Sequence, residues 1–442
     1  MTDTKLDDLA ALARREESVS SGSFITSRAS SSMRVAFVVQ RCGQEVVGGA
    51  ESHCLQVAQR MAKYWRTEVL TTCALDYMEW QNHYPEGTEE IGETVVRRFL
   101  VDQPRDVASF NNLSGDLAGR RATATLAEQE QWMRAQGPMS TPLLQYLRSK
   151  RHAYDFFIFF GYLYATTYFG LPIVKEKAFL APLAHDEWPI YFSMWDNLFS
   201  LPRGFFFNTV EERQFLGRRF PFLELSGPVV GIGVEAPSTL NPEEFRERYG
   251  LSKPFLLYVG RIDASKGCGE LFDAFIRLRD SDAIAHRLVL IGKEVLPVPY
   301  HKDLIYLGVL SDEAKWNALA ACDWLVAPSP YESLSMVLLE AWTAGRPALV
   351  TAASEVLVGH CERSNGGLWF HDYDECAAII RNVDEATKQS LGEQGRTYVR
   401  NNYSWNTIES AFLKMASGKQ QPVRGGFDTR PGLESAAGHR LI

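Results

Sequence analysis

The stretch FLLYVGRIDASKGCGELFDAFIRLR, residues 255–279, contains one complete repeat of the fold. It opens on a short, continuously apolar run, breaks at Gly260, crosses a polar turn and resumes from Lys266 with apolar residues at helical spacing. A strand that is apolar without alternation is buried on both faces, as in a parallel sheet held between two helical layers. The rhythm continues with strands expected at 286–292, 304–310, 323–329, 346–352 and 367–370. Between them SDEAKWNALAA, SLSMVLLEAWTA and DYDECAAIIRN read as helices. From Pro254 onward the chain is therefore a doubly wound α/β unit.

Upstream the pattern is the same. MRVAFVV (33–39) reads as a strand, followed by a polar, glycine-containing loop and a helix over 50–65 with Leu55, Ala58, Ala62 and Trp65 on its inner face. EVLTTCA, TVVRRFLV, FFIFF, AFLAPLAH, GFFFNTV and PVVGIGV supply further strands. The seam falls at 235–252, a polar stretch with two prolines. The expected division is a flexible lead-in at 1–32, a first domain at 33–240 with an insertion at 102–152, and a second domain at 241–400. A final helix at 401–416, which either crosses back to the first domain or joins the second core, precedes a disordered tail at 417–442. Two such units side by side enclose a cleft at the carboxyl ends of their strands.

Composition narrows the function. The 442 residues are 45% apolar and 12% aromatic, enough for full cores, which excludes global disorder. Lys and Arg number 46 against 54 Asp and Glu, a balance that excludes a dedicated nucleic-acid binder. The seven cysteines form no CxxC pair and read as reduced thiols of a cytoplasmic protein, and the N-terminus has no apolar signal region. Phe156 to Val174 is 19 uncharged residues, near the length of a membrane span. Gly161, Gly170 and Pro172 punctuate it, so a buried strand, a turn and a short helix are expected instead. Arg97, Arg98, Arg120, Arg121, Arg148, Lys150 and Arg151 give the insertion and its flanks a basic cast, read as a solvated surface or as a contact for anionic lipid or acceptor.

Arg261 and Lys266 converge at a strand end and a helix start, where two cations and free N–H groups suit a diphosphate. In SPYESLSMVLLEAWTAGRP (329–347), Leu334, Val337, Leu338, Ala341 and Trp342 form a helical stripe, with Glu332 and Glu340 beside it. Eight residues along one helix would set the two carboxylates about 12 Å apart. That is too far for a shared metal and wider than the roughly 5–9.5 Å of a hydrolase pair, but suited to gripping the sugar and the ribose of a nucleotide-sugar.

On YVGRIDASKG and the Glu332-x7-Glu340 signature, the chain resembles the retaining GT-B glycosyltransferases, specifically glycosyltransferase family 4, from about Met33 to Met415. The resemblance implies a GT-B fold, two Rossmann-like doubly wound domains facing an interdomain cleft. It implies that Arg261 and Lys266, after Gly260, bind the donor diphosphate. Glu332 and the amides of Ser333, Leu334 and Ser335 would hold the donor sugar, Glu340 the ribose, and backbone near Gly292 and Val309 the base. Where the family often reads E-Pro-Phe-Gly, this chain has Glu332-Ser333-Leu334-Ser335, and serine narrows the backbone's freedom. Gly48 and Gly49 match the glycine-rich loop after the first strand, and His185 a histidine that touches the donor sugar.

His185, Arg261, Lys266 and Glu332 are thus the expected catalytic group, without cofactor or metal; Asp280-Ser-Asp282 and Asp372-Tyr-Asp374 read as surface acids. The implied partners are a nucleotide-diphosphate-sugar as co-substrate and a carbohydrate or lipid-linked acceptor, in polysaccharide or glycolipid assembly, with contact to the inner face of the membrane as a further role. The oligomeric state is left open. A nucleotide-sugar epimerase and a non-catalytic nucleotide-sugar-binding protein are the rival readings.

Overall fold

β1 (Arg34–Arg41, RVAFVVQR) is buried from Val35 to its end, as its uninterrupted apolar run requires. In the computed structural model, which describes residues 33–46 and 48–418, it lies inside a seven-stranded sheet. The lead-in expected at 1–32 and the tail beyond 418 lie outside the described residues. The other strands of this sheet are β2 (Arg66–Thr72), β3 (Gly87–Ile91), β4 (Thr94–Phe99), β5 (Phe156–Phe160), β6 (Ala178–Ala181) and β7 (Gly204–Phe205). Their order is β3-β4-β2-β1-β5-β6-β7, parallel except for β3 against β4.

The second sheet takes β8 (Phe255–Val259), β9 (Arg287–Ile291), β10 (Leu304–Tyr306), β11 (Trp324–Ala327), β12 (Ala348–Thr351) and β13 (Gly367–Phe370) in the order β10-β9-β8-β11-β12-β13, all parallel. The described residues from Arg34 to Gly418 belong to one compact unit, so both sheets and the space between them belong together.

Three expectations are corrected, and one further strand is found. PVVGIGV is not a strand: only Val229 pairs, as a single bridge to Phe207, and Gly231 turns the chain away at φ 60°. β3 is a strand that carries no apolar signal, because GTEEI is an exposed edge. The first helix runs Gly49–Met61 and buries His53, Cys54, Val57, Ala58 and Met61, while Leu55 and Ala62 are half-buried. The 102–152 region is no mere surface insertion. Its helices Val107–Gly119, Leu126–Gln136 and Thr141–Lys150 send Leu117, Trp132, Met133, Leu143 and Leu147 into the core around Phe157 and Phe159.

Much of the basic cast is neutralised: Arg97 pairs with Glu68, Arg98 with Glu89, and Arg120 with Asp116 and Glu128. FFIFF is β5, and among the described residues no helix is long and apolar enough to cross a membrane.

The last helix, Trp405–Ala416, is capped by Ser404, whose side chain accepts from the Thr407 N–H. Trp405, Ile408, Phe412 and Met415 are buried, on the spacing of one helical face. That face meets the first domain: the Phe412 ring stacks on Phe206 at 4.2 Å, and Glu409 accepts from Lys63 at 3.1 Å and Tyr64 at 2.9 Å. The helix following the second sheet therefore clasps the first. Phe412→Ala should cost about 3–5 kcal/mol, and Lys414→Ala on the exposed face less than about 0.5 kcal/mol. Chemical denaturation of the two variants measures both.

Candidate active site

β8 lies between β9 and β11 where the strand order of the second sheet reverses, so the loops leaving β8 and β11 emerge side by side. In the β8 loop Asp263 caps a short turn, accepting from the Ser265 N–H at 2.9 Å, and Gly267 ends it at φ 71°. A Cβ at Gly267 would stand 2.6 Å from the Pro328 carbonyl oxygen, so only glycine lets this loop press on the one after β11. Gly292 does the same for the end of β9, where a Cβ would overlap the Gly260 carbonyl.

Pressed together, the loops join their charges. Lys266 Nζ donates to Glu332 Oε1 at 2.8 Å and to the Tyr331 carbonyl at 3.4 Å. Arg261 Nε lies 3.0 Å from Asp263 Oδ2, with its guanidinium 4.6 Å from the centre of the Tyr77 ring of the first domain.

The helix after β11 is shorter than its apolar stripe suggests. It spans Met336–Thr343, because Ser335 sits left-handed at φ 64°, ψ 77°. Glu332 is thus in the loop and not on the helix, and the 12 Å axial spacing does not describe the pair. Each glutamate has its own lysine: Lys266 for Glu332, and Lys315 Nζ at 2.7 Å for Glu340. Burial raises the Glu340 carboxyl above its usual range, while the Lys315 charge pulls it back.

The facing wall comes from the first sheet, near its own reversal at β1 and β5. Gly48 precedes the helix that carries Glu51, a buried carboxylate held by Arg41 Nε at 2.5 Å and Gln40 Nε2 at 3.0 Å. His185 follows β6; its Nε2 is 3.6 Å from Glu187 Oε2 and its ring 5.8 Å from that of Tyr331. His53 is buried, with Nε2 3.0 Å from the Gly231 carbonyl, and burial lowers its pKa to about 4, so it is neutral near pH 7.

One cavity of about 780 Å³ collects Gly48, Gly49, His185, Arg261, Lys266, Glu332, Ser333, Leu334 and Ser335. Glu340 opens instead onto an adjoining cavity of about 800 Å³ with Lys315, Arg60 and Lys63, and Met336 lines both. Gly260 and Gly292 pack on each other outside the first cavity, and Val309 is exposed. Asp372 caps a helix and Asp374 pairs with Arg277 at 2.7 Å.

Several cavity residues carry no local motif: Arg41, Glu51, Tyr77, Arg105, Trp188 and Asn208. Asn208 Nδ2 donates to Ser333 Oγ, and Thr209 Oγ1 to the Ser333 carbonyl, each at 3.3 Å, so the first domain holds the loop of the second directly. Their one sequence signal is position: like His185, Asn208 is a polar residue closing an apolar run, GFFFNTV.

A left-handed serine is strained by about 1–2 kcal/mol, against about 0.4–1 kcal/mol of extra unfolded-state freedom that glycine brings. Ser335→Gly should therefore stabilise by about 0–1.6 kcal/mol and Ser335→Val destabilise, both read from thermal unfolding.

Comparison with known proteins agrees with this architecture. The family model described as Glycosyl transferases group 1 matches residues 241–405. Sulfoquinovosyl transferase SQD2 of Arabidopsis thaliana is 26% identical over 168 residues, 35% of this chain and 31% of that protein. The chain spans between 31% and 45% of the length of the curated relatives it matches. Sucrose-phosphate synthase from Thermosynechococcus elongatus superposes with a TM-score of 0.67 at 15% identity, covering 88% of this chain and 99% of that one. Anabaena Alr3699/HepE, solved in complex with UDP-glucose, gives 0.61 at 16% identity over 87% and 100%. The fold is GT-B, and its second half carries a glycosyl transferases group 1 domain.

Proposed function

We propose that the protein is a glycosyltransferase of family 4 that moves a hexose from a nucleotide-diphosphate-sugar to an acceptor hydroxyl with retention of anomeric configuration. The observation that carries this reading is the single cavity where Arg261, Lys266 and Glu332 of one domain face His185, Gly48 and Gly49 of the other. The group 1 domain across 241–405 supports it, and so does the resemblance of both signature motifs. A likeness in fold to a protein solved with UDP-glucose makes UDP-sugars the first donors to test.

Breaking the bond between anomeric carbon and diphosphate puts positive charge on the sugar and negative charge on the leaving group. Arg261 and Lys266 stand at the start of the helix Cys268–Asp280, so two cations and a helix N-terminus act together on the departing diphosphate. Glu332, held by Lys266, is placed to accept sugar hydroxyls. Glu340 takes the ribose, reached over Met336 in the adjoining cavity. The acceptor, a carbohydrate or lipid-linked hydroxyl, enters from the first domain, attacks the face that the diphosphate leaves, and passes its proton to the departing phosphate oxygen. The setting proposed, on the family resemblance alone, is polysaccharide or glycolipid assembly.

Lys266→Ala should lower turnover about 10²- to 10³-fold. UDP at 100 times its dissociation constant should stabilise the wild type by about 2.7 kcal/mol. Turnover of a UDP-, GDP- or ADP-sugar panel, with NMR of the product anomer, reads the first. An epimerised donor without acceptor, or full turnover in Lys266→Ala, would overturn the assignment.

A further inference from the structure

Glu212, on the helix Val210–Arg219, is 1% exposed. Its carboxyl group is held by the backbone: Oε1 accepts from the Ala184 N–H at 2.7 Å and Oε2 from the Asn208 N–H at 2.5 Å. Its own N–H donates to Thr209 Oγ1 at 3.1 Å. Burial pushes this carboxyl up while the N–H groups of Ala184 and Asn208 pull it down, so the arrangement is costly to keep.

The two strand exits that it ties are the ones that face the loop after β11. Leu183 is left-handed at φ 55°, a conformation that disfavours a branched side chain, and it lies two residues before His185. Asn208 is 2% exposed and donates to Ser333 Oγ. Its Oδ1 is buried without a hydrogen-bond partner and Asn208 lines the cavity of Lys266 and Glu332. A buried acceptor left unpaired is unfavourable, and a sugar hydroxyl is the donor that would satisfy it.

We propose that Glu212 is a positioning residue that locks His185 and Asn208 against the 332–335 loop, and that Asn208 Oδ1 accepts a hydroxyl of the bound sugar. This rests on the glycosyltransferase reading. UDP itself is assigned to the second domain, so the unit acts on sugar transfer and not on nucleotide binding.

The test uses the full chain and whichever of UDP-glucose, UDP-galactose, GDP-mannose or ADP-glucose the wild type hydrolyses fastest. Glu212→Gln keeps the shape but turns an amide NH2 toward a backbone N–H. Its kcat should fall about 10- to 100-fold, while affinity for the free nucleoside diphosphate stays within about twofold. In a His185→Ala/Asn208→Ala background the same substitution should cost less than about threefold, because the groups it positions are gone. Equal losses in both backgrounds, or lost nucleotide affinity, would mark a structural role and overturn the proposal.

Asn208→Ala leaves the carboxylate and its backbone partners in place and does not depend on Glu212→Gln folding; unchanged kcat and KM in that variant overturn the proposal as well. If the wild type hydrolyses none of the four donors, the function reading fails and takes this proposal with it. Wild-type turnover with insensitive variants removes the proposal alone.

Discussion

The contact between the loops leaving β8 and β11 is the constraint on which the site depends. Two neighbouring parallel strands release their chains at the same edge, but ordinary side chains would hold the loops apart. Gly267 against Pro328 removes that obstacle, and Lys266 then reaches Glu332. The lysine and glutamate side chains are 31% and 17% exposed, so the pair contributes only about 0–1 kcal/mol to stability. Its effect is geometric: it holds a cation and a carboxylate a few ångströms apart on the rim of a cavity.

The second half of the site is assembled by the seam between the domains. Apolar packing of Phe412 on Phe206 supplies adhesion that polar contacts at a water-exposed seam would not. Polar contacts set the alignment instead: Arg363 with Glu211 at 3.0 Å, Arg218 with Glu355 at 3.1 Å, and Asn208 and Thr209 with Ser333. The seam is thus fastened on one side by a helix and on the other by hydrogen bonds and ion pairs.

Most of the architecture was legible because strands buried on both faces must be written as unbroken apolar runs. The exceptions follow from the same rule. GTEEI pairs at an exposed edge and needs no apolar residue, whereas PVVGIGV is apolar without being a strand, since Gly231 bends it into the seam. The spacing of Glu332 and Glu340 was readable, but the common helix it suggested does not exist, because Ser335 delays the helix to Met336. Tyr77, Asn208, Glu51 and Glu212 were invisible for a different reason. Glu51 follows β1, Tyr77 follows β2, and Asn208 and Glu212 both follow β7, so only the sheet order gathers them at one edge.

On the proposed function, the β8 and β11 loops form the seat of a nucleoside diphosphate. A crystal structure of the protein with UDP tests it most directly. The account predicts the diphosphate against Arg261 and Lys266, with the nucleoside running past Met336 toward Glu340. A diphosphate seated away from Arg261 and Lys266, for instance against Arg60 and Lys63, would speak against it.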